Sequence, residues 1–425
     1  MESDKISNLP GDAIKQILTH LPIREAVRTS VLSSLWRYRW ALLPHLVFDD
    51  QCVSNQNHKT CAQINTEFSD IVDHALLLHI GPLHTFKLSY EEFLAANDID
   101  RWILHLLRKS IKEFILQKWD GPQYKISSWL FSCQDLVRLE LHNCLLKPPL
   151  TFKGFRSLKS LDIQNVTITQ DVFESMTFCC PLLESLTLCN VDGFTNLKIG
   201  PRNLKYLEFR GSFAEVNLEN NLNLVDVSID LDFYLWDVPG DSINLLKFLV
   251  HLPRLQNLAI KSFFLKYLSV GALQGKLPRP CLDLTSLSIS ICFNDPEEIL
   301  TALCLIRSSP ALQELKISGA CRGDLSLLFG LEDMAVLGEV ENSWLDDNCQ
   351  NCSFTQLRLV EVTGVSGVKA EVDFIRLLLL TSPVLERMTL QPASANWVFE
   401  SLRELVEIRT RHASVQAEII PLDSN

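Results

Sequence analysis

The residues that could do chemistry in this 425-residue chain include 13 cysteines, ten histidines and charged side chains interleaved with apolar ones. One paired-thiol spacing stands out, Cys349-x-x-Cys352, but a structural zinc site needs four ligands and no second cysteine or histidine pair stands nearby. The other cysteines are scattered without a disulfide framework. We therefore expect no metal, no cofactor, and reduced thiols that act as small apolar side chains.

Motifs for catalysis are absent from the sequence. It contains no phosphate-binding loop, zinc-protease motif or nucleophile elbow. Cys179-Cys180 precedes Pro181 at a predicted helix end, a position that indicates packing. The formal net charge is −12, which disfavours nucleic acid, and no apolar run approaches the roughly 20 residues of a membrane helix. We expect a non-catalytic protein with neither a nucleic-acid nor a membrane partner.

One repeated element must position the charged side chains. The motif apolar-x-x-apolar-x-apolar recurs from Leu83 to Leu385, and its spacing of about 25 residues lies in the range of leucine-rich repeats. On a strand its fourth and sixth positions point one way and its fifth points the other. One step of 45 residues indicates a degenerate unit near residues 334–340. The pattern predicts an α/β solenoid with a parallel sheet on its concave face and helices outside.

Helical signals lie between several of these strands. In the segment DPEEILTALCLIR, Asp295 is a candidate N-cap and Pro296 takes the first helical position. Three further segments have the same role: TQDVFESMTFCCP, DSINLLKFLVHLP and VDFIRLLLLTSP.

The outward strand positions form the candidate substrate-binding surface. Ordinary solvation is a sufficient explanation for any single one of these side chains, whereas the concave face as a whole favours recognition of a partner. We expect substrate contacts from ten of them: Lys87, Arg138, Glu140, His142, Asp162, Glu208, Arg210, Asp226, Lys261 and Lys316.

The N-terminal segment LPGDAIKQILTHLP predicts a short amphipathic helix. Ile14, Ile17, Leu18 and Leu21 have the spacing i, i+3, i+4, i+7. Two more short helices follow, one of them beginning near Ser33 or Ser34. Three helices in about 40 residues cannot bury all their apolar surface, so they either cap the repeats or bind another chain.

The stretch LPGDAIKQILTHLPIREAVRTSVLSSLWRYRW resembles an F-box, the adaptor-docking motif of SCF-type ubiquitin ligases. The resemblance implies a Skp-family adaptor as partner and, through it, a cullin and a RING subunit. It also implies that the chain is a substrate-recognition subunit that recruits an unknown protein. The residues that we expect to contact the adaptor are Leu9, Pro10, Ile14, Ile17, Leu18, Leu21, Pro22, Ala26 and Val27.

The rest of the chain resembles a plant family that combines an F-box, leucine-rich repeats and an FBD region. The segment LRLVEVTGVSGVKAEVDFIRLLLLTSPVLERMTL and the tail RTRHASVQAEII resemble the FBD region, which physically is expected to be the last repeats and a closing cap. We expect four parts: an F-box at 1–48, a linker with a connecting helix at 49–82, repeats at 83–350 and the FBD-like region at 351–425. The resemblance implies a place in the nucleus, the cytoplasm or both.

Three other functions remain open. A repeat scaffold whose F-box no longer docks would act outside ubiquitin transfer. A small-molecule receptor would need a pocket with convergent polar groups. An enzyme would use the acidic strand positions for acid–base chemistry.

Overall fold

The structure is a computed structural model that describes residues 9–53, 59–90, 95–119, 121–213, 215–218, 221–231, 249, 252–262, 265, 268, 277, 279–319, 353–393 and 418–421. The chain forms two compact units, Met1–Leu204 and Lys205–Asn425, each with its own set of parallel strands. This α/β architecture confirms the predicted fold class.

The first unit opens with a small helical bundle. Helices α1 (Gly11–Thr19) and α2 (Ile23–Arg28) have Pro10 and Pro22 at their N-cap positions. The third predicted helix is shorter than expected, because turns precede a 3-10 helix at Arg39–Leu42. Tyr38, just before it, has a left-handed backbone with φ of 63°, and this conformation interrupts a continuous right-handed helix.

The strands of the first unit follow one another in chain order. They are β1 (His45–Phe48), β2 (Thr85–Tyr90), β3 (Glu113–Lys118), β4 (Tyr124–Lys125), β5 (Arg138–His142), β6 (Cys144–Leu145), β7 (Ser160–Gln164), β8 (Ser185–Cys189) and β9 (Asn196–Lys198). Strands β1, β2, β3, β5, β7 and β8 pair in parallel in that order, while β4 pairs with β6. Three helices connect them: α3 (Cys61–Leu78), α4 (Ala96–Leu107) and α5 (Gln170–Phe178).

The parallel sheet begins earlier than the predicted start of the repeats. Strand β1 lies inside the predicted F-box segment and pairs with β2. The connecting helix expected at 49–82 is α3, which begins with a capping box between Thr60 and Gln63. Because α3 links two paired strands, it serves as the helix of the first coil. The bundle is therefore joined directly to the sheet.

The second unit continues the same pattern. Its strands are β10 (Tyr206–Gly211), β11 (Glu215–Asn217), β12 (Asp226–Leu231), β13 (Asn257–Ser262), β14 (Ser286–Ile291), β15 (Glu314–Gly319), β16 (Leu359–Val365), β17 (Arg387–Pro392) and β18 (Glu418–Pro421). Strand β10 and strands β12 to β18 pair in parallel in chain order. Helix α6 (Pro296–Arg307) has the predicted Asp295 N-cap, and α7 (Lys369–Thr381) lies in the FBD-like region.

Two sequence predictions lie outside the described residues. They are the helix in DSINLLKFLVHLP, apart from a few residues, and the degenerate unit near 334–340. The backbone N–H groups of Arg358 and Leu359 both donate to the carbonyl of Gln313, at 2.9 and 3.0 Å. Strands β15 and β16 are therefore adjacent in the sheet.

The apolar motif positions form the core. In β12, Val227 and Ile229 are fully buried, whereas the alternate residues Asp226, Ser228 and Asp230 keep contact with solvent. Phe48, Phe86 and Phe114 stack through the first three coils with ring centroids 5.7 and 6.1 Å apart. Full burial of such a side chain contributes about 1.5–3 kcal/mol. The alternating pattern thus gives each strand one buried side and one side directed outward, here called the strand face.

Candidate functional site

The N-terminal bundle divides the nine predicted adaptor contacts into two groups. Ile14, Leu18 and Ala26 are buried within this chain, each no more than 1% exposed. The other six keep exposed surface: Leu9, Pro10, Ile17, Leu21, Pro22 and Val27. The amphipathic pattern could not make this division, because the side of α1 that packs internally and the side that remains open are both apolar.

Exposed apolar side chains are concentrated in this bundle. Among the described residues, 25 large apolar side chains are exposed, and seven of them lie between residues 17 and 42. They are Ile17, Val27, Val31, Leu32, Leu35, Tyr38 and Leu42. Only two of these seven belong to the predicted contact set, since the others lie in turns and short helices rather than on α1. Concentrated exposed apolar surface is typical of a protein interface.

The strand face carries the ten predicted substrate contacts, five in each unit. Eight of them keep solvent exposure, as expected. Several are engaged with neighbours: Arg210 Nε lies 3.6 Å from Asp230 Oδ2, and Asp226 Oδ2 accepts a hydrogen bond from Asn257. These side chains are thus partly ordered by pairs along and across the strands.

Glu140 and His142 differ from the expectation that outward positions face water, because they are 5% and 3% exposed. Their neighbours cover them. Gln117 Nε2 donates to Glu140 Oε1, and Arg138 Nη2 donates to Oε2 at 3.1 Å. The Trp119 ring lies edge-on to His142 with centroids 5.2 Å apart. Glu140 and His142 therefore belong to a polar cluster on the strand face of the first unit that neighbouring side chains cover.

The cluster includes one residue from the next strand. Asp162 of β7 is in register with Glu140 of β5, so both side chains leave the sheet on the same side. One potential ligand atom each from Glu140, His142 and Asp162 lies within 4.8 Å of the others. All three are predicted strand-face residues, and the sequence predicted no metal site. The signal for one is the separation of one repeat between Glu140 and Asp162, which places a carboxylate opposite the Glu-x-His pair.

The buried carboxyl of Glu140 remains charged. His142 Nε2 lies 3.3 Å from its Oε1. This contact is the largest cause of a lowered pKa, and the hydrogen bonds from Gln117 and Arg138 lower it further. Burial acts in the opposite direction, and the resulting pKa of Glu140 is about 2. The His142 ring is not aligned for a hydrogen bond at either nitrogen, and both nitrogens are buried. The geometry thus brings the Glu140 carboxylate into contact with Nε2 of the His142 imidazole, while neither ring nitrogen has an aligned hydrogen bond.

The described cysteines are free thiols. Burial raises the pKa of Cys133 and Cys180 to about 11 and that of Cys144 to about 12. A thiol with a raised pKa is a poor nucleophile at neutral pH. The Cys180 Sγ instead accepts a hydrogen bond from the backbone N–H of Phe155. Cys349 and Cys352 lie outside the described residues.

Among the described residues, no helix has the length and apolar character needed to cross a bilayer.

Comparison with known proteins matches this architecture. The profile of the F-box domain matches residues 6–47. A second profile, described as "FBD-associated F-box protein At5g56370, LRR repeats", matches residues 99–317. The first match covers the bundle with exposed apolar surface, and the second covers most of the parallel strands. The chain is therefore an F-box protein with leucine-rich repeats.

Full-length relatives define the family further. The chain is 40% identical to the F-box/FBD/LRR-repeat protein At1g13570 of Arabidopsis thaliana, over 94% of this chain and 95% of that protein. It is 25% identical to the probable FBD-associated F-box protein At1g32375 of the same plant, over 97% and 99% of the two chains. The chain belongs to the F-box/FBD/LRR-repeat family.

The class has a general role. F-box domains generally bind a Skp-family adaptor in SCF complexes. F-box proteins with leucine-rich repeats generally act as substrate receptors of those ligases, a role that is typically non-catalytic.

Proposed function

We propose that this chain is the substrate-recognition subunit of an SCF-type ubiquitin ligase. The observation that carries the proposal is the exposed apolar surface of an F-box whose internal core is already complete. Ile14 and Leu18 fill that core, while Ile17 and Val27 are 42% and 38% exposed. Full burial of an exposed side chain of this size contributes about 1.5–3 kcal/mol, so an adaptor that covers the remaining exposed part of each would gain about 1 kcal/mol.

The adaptor face comprises the six exposed residues of the predicted set together with exposed residues of the following turns. Val31 is 87% exposed, and Leu32 and Leu35 are about half exposed. Pro10 and Pro22 fix the starts of α1 and α2, and this rigidity lowers the entropy that binding must overcome. Through the adaptor, the chain joins a cullin and a RING subunit.

The strand face is the proposed surface for the substrate. Its solvent-accessible residues carry both signs of charge, with Arg138 and Asp162 in the first unit and Glu208 and Lys316 among those of the second. Mixed charge of this kind supports selection of a particular protein through electrostatic complementarity. The chain contributes proximity, because holding a substrate beside a ubiquitin-loaded enzyme raises the effective concentration of the two. Its place of action is the nucleus, the cytoplasm or both.

Affinity purification tests this function. Tagged wild type is compared with a double variant, Leu21→Asp with Pro22→Ala, and the captured partners are identified by mass spectrometry. The double variant should lose adaptor and cullin yet keep proteins held by the strand face. If wild type captures neither adaptor nor cullin but still captures other proteins, the chain is a scaffold outside ubiquitin transfer.

A further inference from the structure

The polar cluster on the strand face of the first unit has the composition of a metal site. We propose that Glu140, His142 and Asp162 bind a divalent transition-metal ion, with Zn²⁺ as the ion that best matches the ligands. The three side chains come from two adjacent parallel strands. Glu140 and His142 alternate along β5 on one side of the sheet, and Asp162 stands opposite Glu140 on β7.

The geometry requires only side-chain movement. One ligand atom of each residue already lies within 4.8 Å of the others, whereas ligands of a tetrahedral zinc ion with bonds of about 2.0–2.1 Å are about 3.4 Å apart. Glu140 Oε1 already lies 3.3 Å from His142 Nε2. A rotation of the Asp162 carboxylate, which accepts a hydrogen bond from Gln164 Nε2 at 3.1 Å, closes the remaining difference of about 1 Å. The strands themselves hold the register, so the site is built on the rigid part of the fold.

The buried imidazole of His142 supports the metal site independently of the ligand spacing. Its ring is 3% exposed, and neither ring nitrogen has an aligned hydrogen bond: Nε2 contacts only Glu140 Oε1, at 3.3 Å, and Nδ1 makes no hydrogen bond. Buried polar groups nearly always have partners, and an imidazole nitrogen with an unused lone pair is a common metal ligand. Elsewhere in the same sheet, His45 Nδ1 instead contacts Thr85 Oγ1 at 2.9 Å, and Thr85 donates to Glu113. That second histidine–carboxylate group is satisfied without an ion.

The surroundings complete the site. Arg138 holds Glu140 through Oε2 at 3.1 Å, which leaves Oε1 on the side of His142. Gln117 donates to Oε1 through its amide nitrogen, and a half-turn of that amide would present its oxygen as a fourth ligand. One nitrogen and two or three oxygens favour zinc and its neighbours in the first transition row over calcium and magnesium, which prefer oxygen alone.

The Trp119 ring gives the site an optical reporter. It packs edge-on against His142 with centroids 5.2 Å apart and is itself 52% exposed. A bound Co²⁺ ion within a few ångströms of an indole quenches its fluorescence, and Co²⁺ in a site of low symmetry also absorbs visible light. Zinc binding can therefore be measured by competition with a chelator, and cobalt binding at the same ligands can be measured by spectroscopy.

The test uses the full chain after removal of metal with EDTA. Zn²⁺ is titrated against a chromophoric chelator, and Co²⁺ is titrated with absorption and fluorescence as readouts. We expect one ion per chain. Substitution of a residue that only hydrogen-bonds to a metal ligand reduces metal affinity by about 10–100-fold. Substitution of a ligand itself, as in Glu140→Gln or Asp162→Asn, should therefore reduce the affinity for Zn²⁺ by at least about tenfold. Trp119→Phe should keep the affinity and lose the cobalt-dependent quenching.

Two control variants make the result specific. Glu113→Gln alters the satisfied histidine–carboxylate group in the same sheet and should bind Zn²⁺ as wild type does. Cys349→Ser with Cys352→Ser removes the one paired-thiol spacing and should also leave the affinity unchanged. Circular dichroism of each variant without metal confirms that it is folded. No saturable binding by wild type, or equal binding by Glu140→Gln and Asp162→Asn, would overturn the proposal. Neither readout involves the adaptor, so the ligase function is tested separately.

Discussion

Glu371 accepts a hydrogen bond from the backbone N–H of Gly367 at 2.8 Å, across the entry to helix α7. The same Oε2 also accepts from the N–H and the hydroxyl of Ser366. Glu298 takes the equivalent third position of helix α6 and accepts from the N–H of Cys292. In both coils a buried glutamate connects the end of a strand to the start of the next helix by hydrogen bonds.

Replacing Glu371 with leucine should destabilise the second unit by about 1–3 kcal/mol, because backbone donors lose their acceptor. Replacing it with glutamine should cost much less, since the amide oxygen can accept the same hydrogen bonds. Urea denaturation of both variants, with hydrogen exchange to assign the affected residues, measures the difference. If the leucine variant is as stable as the glutamine variant, these hydrogen bonds do not stabilise the coil.

Acidification should affect Glu140 and Glu371 in opposite ways. The pKa of Glu140 is lowered from 4.5 to about 2, so the stability it contributes is present above pH 4.5 and is lost as the pH falls toward 2. Burial raises the pKa of Glu371, against the hydrogen bonds from Gly367 and Ser366. Its contribution is therefore greatest below pH 4.5 and declines as the pH rises through the raised pKa.

Matched glutamine variants isolate these two contributions. In EDTA, the stability difference between wild type and Glu140→Gln should shrink when the pH falls from 4.5 toward 2. The stability of wild type relative to Glu371→Gln should decline when the pH rises above 4.5. Urea midpoints across the pH range provide the measurement. A pH-independent difference for either pair would contradict the assigned shift for that residue.

Gly154 is a position where no larger residue is expected to be tolerated. Its φ is +83°, and a Cβ atom there would lie 2.3 Å from the carbonyl oxygen of Cys179 at the end of α5. Gly154→Ala should cost about 1–3 kcal/mol from overpacking and about 1–2 kcal/mol more from the left-handed backbone. Thermal denaturation measures the loss.

Gly11 provides the matched control for that substitution. A Cβ atom on Gly11 meets only Arg39 guanidinium nitrogens, at 3.6 and 4.0 Å, and alanine has the higher helix propensity by up to about 1 kcal/mol. Gly11→Ala should therefore be neutral or stabilising. Equal losses for the two variants would show that the close approach at Gly154 is relaxed in solution.

The repeating part of the fold could be predicted from the sequence because alternation determines burial directly. Leu136, Leu139 and Leu141 show the motif, and each is no more than 1% exposed. The cap of α6 was equally predictable, since Asp295 and Pro296 are local signals. These features depend on residues within one coil.

Features that depend on contacts between coils were not predictable. Strand β1 is different, because Leu43, Leu46 and Phe48 do follow the repeat motif inside the F-box segment, and the pairing of β1 with β2 shows that they begin the sheet. The turns after β5, β7 and β8 contain Asn143, Asn165 and Asn190 with φ of 55°, 52° and 51°, and asparagine tolerates this region better than most residues. Burial of His142 depends on Trp119, which belongs to the preceding coil.

The affinity of the purified chain for a purified Skp-family adaptor decides whether the F-box of this chain binds an adaptor. Ile17, on the open side of α1, is 42% exposed, and Leu182, outside the F-box, is 46% exposed. Ile17→Asp therefore places a charge in the proposed interface, whereas Leu182→Asp places one at a matched apolar residue elsewhere. The lost apolar contact and the unpaired carboxylate that replaces it together cost about 1.5–3 kcal/mol, which corresponds to about 10–100-fold in Kd. We expect wild type and Leu182→Asp to bind the adaptor with similar affinity, and Ile17→Asp to bind it about 10–100-fold more weakly. Wild type that does not bind, or Ile17→Asp that binds as tightly as Leu182→Asp, would contradict it.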